Sequence, residues 1–498
     1  MTADQRPDRS AAEPRVPPAA VIVLAAGGGT RMKSAMPKVL HTIGGRSLID
    51  HVLRAARALR PDHLVTVVGH GRDQVAQHVV EMDAMVTVVV QEEQHGTGHA
   101  VQTALASIPD VRGTVVVTYA DVPLQTAQTL GRLVTAHGQA DNAVTVLTAE
   151  LDDPVGYGRL IRDSAGQVVS IVEEKDASVE QRAITETNSG ISAYDADFLR
   201  AALTQVGSTN AAGEIYLTDV VAIARRAGRG VGAIDVGDSW QTEGVNTRSQ
   251  LSRLGAELNR RTLEHWMREG VEVIDPATTW VDVDVRLGHD VSLRPGVQLH
   301  GQTTIDSGAV IGPDSTLADV EVGRRASVIR THATSAVIGA DATVGPFAYL
   351  RPGTRLGQAG KIGAFVETKN AVIADGAKVP HLSYVGDAEI GAGTNIGAGT
   401  IFANYDGVSK HRTTVGAHCR TGSNNTFVAP VQIADGSATG AGTVVRRDVP
   451  PGALAVSTGP QRHIADWVQR KRPGTPAARA AEQSRQHLER APQEEAGQ

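Results

Sequence analysis

Val21-Ile22-Val23-Leu24-Ala25-Ala26-Gly27-Gly28-Gly29-Thr30-Arg31-Met32, with Pro37-Lys38-Val39-Leu40-His41 close behind, decides how the first half of this chain is read. The apolar run is short enough for a buried parallel strand. The glycines let the chain turn tightly while backbone N–H groups approach a polyphosphate. Arg31 and Lys38 would neutralise that anion. A glycine cluster alone equally fits a plain strand-to-helix turn. The order of residues is that of neither a P-loop nor the dinucleotide-binding glycine fingerprint.

Outward from this stretch, apolar runs alternate with helix-like segments as far as about Ala227. Leu64 to Val68, Val86 to Val90, Val115 to Val117 and Ala143 to Leu147 read as strands of an α/β, Rossmann-like domain. Such sheets bind ligands beyond the carboxyl ends of their strands. Three polar clusters fall there. Gln91 to Ala100, rich in amides and glycines, suits a base edge or an ordinary loop entering a helix. Tyr119-Ala120-Asp121 places a carboxylate where it could ligate Mg²⁺ carried by a triphosphate. The third cluster comprises Gly156 to Arg159, Ile171 to Asp176 and Glu186 to Gly190. It offers Glu and Asn side chains to sugar hydroxyls and a glycine for close approach, and each piece alone also fits a solvated loop.

Composition narrows the classes. A chain of 498 residues should form two or three domains, and a net charge of −6 argues against a general nucleic-acid binder. One cysteine, Cys419, cannot form an internal disulfide and fits a reducing cytoplasm, where it reads as a small buried residue. Residues 1–18 are polar and proline-bearing, with no signal-peptide core, and are expected to be disordered. No run approaches the roughly 20 apolar residues of a membrane span. Aromatic residues make up only 3% of the chain, so Val, Ile, Leu and Ala must build the cores.

From about Arg248 to residue 274 the chain is polar, with Leu251, Leu254, Leu258 and Leu263 near helical spacing; a helical linker is expected. Beyond Asp275 the period becomes six. Ile305, Ile311 and Leu317 recur, then Ile338, Val344, Leu350, Leu356 and Ile362, then Ile373, Val379 and Val385. That spacing predicts hexapeptide coils of a parallel β-helix from 275 to 459, with roughly ten turns. Two interruptions stand out: Ile401 to Thr413, which should loop out, and His381-Leu382-Ser383-Tyr384. A histidine there has the intrinsic pKa to accept a proton from an attacking amine, although a lone histidine is usually structural. Residues 460–498 are expected to be mostly disordered, with a helix conceivable from Ala477 to Arg490.

The glycine-rich string resembles the signature of sugar-nucleotide pyrophosphorylases. With Tyr216-Leu217-Thr218-Asp219, Gly244-Val245-Asn246 and the His381 segment, the chain from Val21 to Trp467 resembles the bacterial bifunctional family that makes UDP-N-acetylglucosamine. That resemblance implies a uridylyltransferase domain (19–247) that joins UTP to N-acetylglucosamine-1-phosphate, and a left-handed β-helix that transfers acetyl from acetyl-CoA to glucosamine-1-phosphate. It implies that Leu24, Ala25, Ala26, Gly27, Gln91, Gly96, Thr97, Tyr119 and Ala120 hold the nucleotide. Arg31 and Lys38 would grip phosphates, Asp121 and Asn246 would bind Mg²⁺, and Gly158, Glu173 and Asn188 would hold the sugar.

In the second half it implies His381 as general base with Glu367 orienting it. Arg351, Lys369, Tyr384 and Asn395 would bind the sugar phosphate, and Ala398, Asn404, Tyr405, Ser423 and Ala441 would contact acetyl-CoA or the amino sugar. A homotrimer with acetyl sites between subunits is implied as well. Two departures stand out. Ala120 occupies the family's usual glycine before the metal-binding aspartate, and is either tolerated in a β conformation or weakens nucleotide binding. Thr458 replaces a common coenzyme-binding arginine. Two other readings remain: a single-function nucleotidyltransferase whose β-helix serves oligomerisation, and a non-catalytic regulatory subunit.

Overall fold

The computed structural model describes residues 16–457, 459 and 461–494. Residues 1–15 of the expected disordered N-terminus, and Thr458, lie outside them. Two compact units divide between Gly360 and Lys361, inside the region of six-residue repeats.

The first unit begins with a nine-stranded sheet in which Ala20–Ala25 is central and buried along its whole length. It runs parallel to His63–Val68 on one side and to Thr114–Tyr119 on the other. The alternation of a strand sends Ala20, Ile22 and Leu24 into one hydrophobic core and Val21, Val23 and Ala25 into the other. Helices such as Leu48–Arg57, Thr97–Ser107 and Ala127–Gln139 contribute the apolar faces that complete those cores. The expected strands are present as His63–Val68, Thr87–Val90, Thr114–Tyr119 and Val144–Glu150. Glu186–Asp195 is a further strand, antiparallel to Thr114–Tyr119, Val144–Glu150 and Gly158–Arg162, with a register shift between Asn188 and Ser192. Its first half, Glu186 to Gly190, is polar and glycine-bearing, a sequence that equally fits a solvated loop.

Helix Arg248–Arg268 is the expected arm. It opens on a capping box between Thr247 and Gln250, and Leu254 and Leu263 are buried. Coils follow at a spacing of one turn per 18 residues, as Trp280 pairs with Gln298 and Gln298 with Thr316. Asp290, Asp314, Asp319 and Asp341 occupy left-handed backbone, a conformation their short polar side chains tolerate.

In the second unit Lys361–Ala364 runs parallel to Lys378–His381, and Glu367–Ile373 to Tyr384–Ile390. Spacing then lengthens: Ala388 pairs with Thr413 before Thr413 pairs with Val431. The extra residues loop out within the interruption expected from Ile401 to Thr413. In both units the aliphatic residues recurring every six positions are buried, none more than 2% exposed.

In the tail, helices span Trp467–Lys471 and Pro476–Glu494, the second containing the stretch from Ala477 to Arg490 that sequence offers as a helix. Thr475 accepts a hydrogen bond from Ala478 N at 3.3 Å, proline occupies the first helical position, and alanines follow. No described helix is long and apolar enough to cross a membrane.

Candidate functional site

The carboxyl ends of adjacent strands in the first unit open on a cavity of about 270 Å³. Leu24, Ala25, Ala26 and Gly27 line it from the central strand, Gln91, Gly96 and Thr97 from the next turn, and Tyr119, Asp121 and Lys38 from the opposite side. Gln91 is buried; its Nε2 donates to Gly96 O at 3.2 Å and sits 2.9 Å from His99 Nδ1, which fixes the amide. Gly96 has φ +105°, and a Cβ there would fall 2.7 Å from Ile215 O. Thr97 Oγ1 accepts from Leu217 N at 3.1 Å. Gln94 and Glu214 also line the cavity, and Gln94 Nε2 donates to Ala26 O at 2.9 Å. Gln94 belonged to the amide-rich loop; nothing local marked Glu214, which arrives from a distant segment.

Lys38 is the focus of charge. Its Nζ bonds Asp121 Oδ2 and lies 3.2 Å from Asn246 Oδ1. Asp121 O accepts from Val245 N at 2.9 Å, which ties the two oxygen donors together. Gly29, at φ +57°, lets the preceding turn pass against Lys38, because a Cβ there would lie 2.7 Å from Lys38 Cβ. Arg31 is exposed on the turn Thr30–Met32 and has no ion-pair partner among the described residues.

Ala120 is not among the residues that line the cavity. It is absent from the residues with left-handed backbone, its methyl is 0% exposed in the hydrophobic core, and its N–H bonds Leu24 O at 3.0 Å. The side chain therefore faces away from the cavity.

Asn188 and Gly158 are register partners across two antiparallel strands. A Cβ on Gly158 would lie 3.4 Å from Glu173 Oε2, so glycine keeps that carboxylate close to the backbone. Burial pushes the Glu173 carboxyl above its usual range. The Thr218 hydroxyl, donating at 3.1 Å, opposes this, and Asp176, Asp219 and Glu214 add to it. Asn188 Oδ1 accepts from Gly190 N at 3.0 Å; Gly190, at φ +81°, lies against the Tyr119 ring and links this cluster to the cavity. Burial also raises the Tyr119 phenol well above its ordinary value.

In the second unit His381 ends the strand Lys378–His381 and is exposed. Its carbonyl accepts from Ser383 Oγ at 2.7 Å and Gly399 N at 3.2 Å. The imidazole has no hydrogen-bond partner among the described residues. The ladder puts Glu367 in register with Tyr384.

Asp387 is the hub that motif reading missed. It accepts from Asn370 Nδ2 at 2.7 Å and from Asn404 Nδ2 at 2.5 Å, and Asn404 also stands 3.5 Å from Tyr384 Oη. Burial would raise its carboxyl, but these bonds and the fields of Lys410 and Lys369 hold it below the usual range. The residue follows Gly386, where a Cβ would overlap the Tyr384 hydroxyl; that Gly-Asp pair was the available signal.

Ala398, Ser423 and Ala441 stack on successive coils, with Asn424 N bonded to Ala398 O at 2.7 Å and Gly442 N to Ser423 O at 2.8 Å. Asn395 bridges Lys378 and Arg420. Tyr405 turns its hydroxyl to Gly407 O at 2.7 Å within its own loop. Arg351 follows the strand Ala348–Leu350 in the first unit.

Residues 21–187 match the family model of MobA-like NTP transferase domains. The bifunctional protein GlmU of Kineococcus radiotolerans is 60% identical over 468 residues, covering 94% of this chain and 95% of that protein. Its counterpart from Rhodococcus opacus is 60% identical over 476 residues (94% and 95%), and that from Corynebacterium efficiens 58% over 466 (93% and 96%). The chain belongs to the GlmU family. It is a bifunctional enzyme of UDP-N-acetylglucosamine synthesis, with nucleotidyltransferase and acetyltransferase activities on an α/β domain, a helical arm and a left-handed β-helix. The single-function and regulatory readings give way to that family membership.

Proposed function

We propose that the cavity beside Lys38 is the uridylyl-transfer site and that the coil surface at His381 carries acetyl transfer. In the first, Leu24 to Gly27, Gln91, Gly96 and Thr97 hold the base and ribose of UTP, and Tyr119 forms the wall. Gly158, Glu173 and Asn188 hold N-acetylglucosamine-1-phosphate. The observation that carries this reading is the Lys38 ammonium held between Asp121 and Asn246 at the mouth of the cavity.

Those two oxygen donors already hold a positive charge, so they fit a hard cation. Among the described residues no group of three or more His, Cys, Asp or Glu side chains could hold a metal by itself, which suits an ion completed by phosphate oxygens. Mg²⁺ held by Asp121 and Asn246 would screen the triphosphate. Lys38 and Arg31 neutralise charge as the sugar phosphate oxygen attacks the α-phosphorus in line and pyrophosphate leaves.

In the second site, His381 accepts a proton from the amine of glucosamine-1-phosphate as it attacks the thioester of acetyl-CoA, and CoA leaves as the thiol. Lys369, Tyr384 and Asn395 hold the sugar phosphate. Asn404, Tyr405, Ala398, Ser423 and Ala441 hold the coenzyme or the amino sugar, and Glu367 is the group that orients His381. A homotrimer in the cytoplasm, with domains at 19–247, 248–274 and 275–459, completes the reading. The test is one incubation with glucosamine-1-phosphate, acetyl-CoA, UTP and Mg²⁺ read by mass spectrometry. UDP-N-acetylglucosamine is expected; accumulation of N-acetylglucosamine-1-phosphate alone would remove the first site.

A further inference from the structure

Thr42–Ile43 and Arg46–Ser47 form a hairpin that begins four residues after Lys38. Its turn, Gly44-Gly45, has φ +54° and +82° and is packed on two sides. A Cβ on Gly44 would lie 2.8 Å from Leu258 Cδ2, on the long helix, and one on Gly45 would lie 2.6 Å from Asp282 Oδ2, on the first coil. Val283 N donates to Gly44 O at 3.0 Å. Arg46 grips Asp284 with both Nε, at 3.0 Å, and a terminal nitrogen. The long helix begins just beyond Asn246, whose N–H donates to Gln250 Oε1 at 2.8 Å. Ile43 and Met32 pack with Leu254 in one hydrophobic cluster. Both groups that meet at the uridylyl site, Lys38 and Asn246, therefore lead directly into one junction closed by the first β-helix coil.

The geometry points to Arg46 and Asp284 as positioning residues for uridylyl transfer: their bidentate pair fixes the hairpin against the first coil and thereby sets Lys38 relative to Asn246 and Asp121. This rests on the site assignment above. A bidentate guanidinium–carboxylate pair constrains orientation as well as distance, which a pair of point charges does not. Neither side chain contacts substrate in this scheme, and a displaced Lys38 costs rate because charge neutralisation in the transition state depends on placement.

The test compares Arg46→Ala, Asp284→Asn and the inverted pair Arg46→Asp with Asp284→Arg in the full-length enzyme, with Lys38→Ala as the benchmark. Each single variant should lose roughly tenfold in uridylyl kcat, short of the roughly hundredfold cost of an ångström of misplacement. KM for UTP and the acetyltransferase rate should move less than about twofold, and the inverted pair should recover part of the loss. If Lys38→Ala abolished activity while both single variants kept full kcat, the positioning role would be wrong. If Lys38→Ala itself kept full kcat, the site assignment would fall and the inference with it. Parallel losses of both activities with a lowered melting temperature would also overturn it, as the marks of simple destabilisation.

Discussion

Lys38 and His381 are assigned the central proton and charge work of the two reactions, yet their surroundings are opposite. The Lys38 side chain is 11% exposed and clamped by Asp121 and Asn246, in a cavity that the end of a fully buried strand also lines. His381 sits exposed on a coil surface, with no partner for its ring among the described residues. The α/β site draws its groups from segments as far apart as Leu24 and Asn246, so it exists only once the sheet has closed. Glu367 and Tyr384, by contrast, meet where two successive coils stack, with little long-range assembly.

The sharpest way to break this contrast is to remove each group in turn. Lys38→Ala should lower uridylyl kcat by about a thousandfold and leave acetyl transfer unchanged, as expected for a preorganised charge in a closed site. His381→Ala should lower acetyl transfer by about a hundredfold or more, leaving uridylyl transfer intact. Separate assays of the two half-reactions decide it, and loss of both activities in either variant would sink the division of labour.

Asp387 offers a second contrast. Its folded carboxyl lies below the unfolded value of 3.8, so its stabilising bonds are fully present above that value and are lost as pH falls through the lower folded pKa. Asp387→Asn should raise the KM for glucosamine-1-phosphate about tenfold, the worth of one or two hydrogen bonds. Its melting temperature should fall below wild type at neutral pH and converge with it in acid.

Glu173 carries the opposite sign. Its carboxyl is raised by burial, so its ionisation in the folded protein is unfavourable, and the associated instability is relieved as pH falls through the raised value. Glu173→Gln should therefore melt higher at neutral pH while raising the KM for N-acetylglucosamine-1-phosphate severalfold. In wild type that KM should climb on acidification, and in the variant it should stay level.

The smallest effect is expected at Ala120. Since its methyl is buried and its backbone is not left-handed, Ala120→Gly should leave uridylyl kcat and the KM for UTP within about twofold. It should cost roughly 1 to 2 kcal/mol of stability, from a lost buried methyl and a freer unfolded chain. A marked gain in activity would show that the methyl obstructs nucleotide.

Local pattern by itself determined much of this protein. The unbroken apolar run from Val21 to Leu24 required a strand buried on both faces, glycines marked the turn beyond it, and the period of six required coils whose aliphatic residues point inward. These are short-range constraints, set by where a Cβ points and which φ a residue tolerates. Tertiary structure decided what local pattern does not encode. Only chain closure could bring Asn246 to Lys38, bury Ala120 away from the cavity, turn Glu186–Asp195 into an antiparallel strand, or gather Asn370 and Asn404 on Asp387 from coils before and after it. Each of these depends on contacts between residues far apart in sequence, made only when the sheet closes or the coils stack.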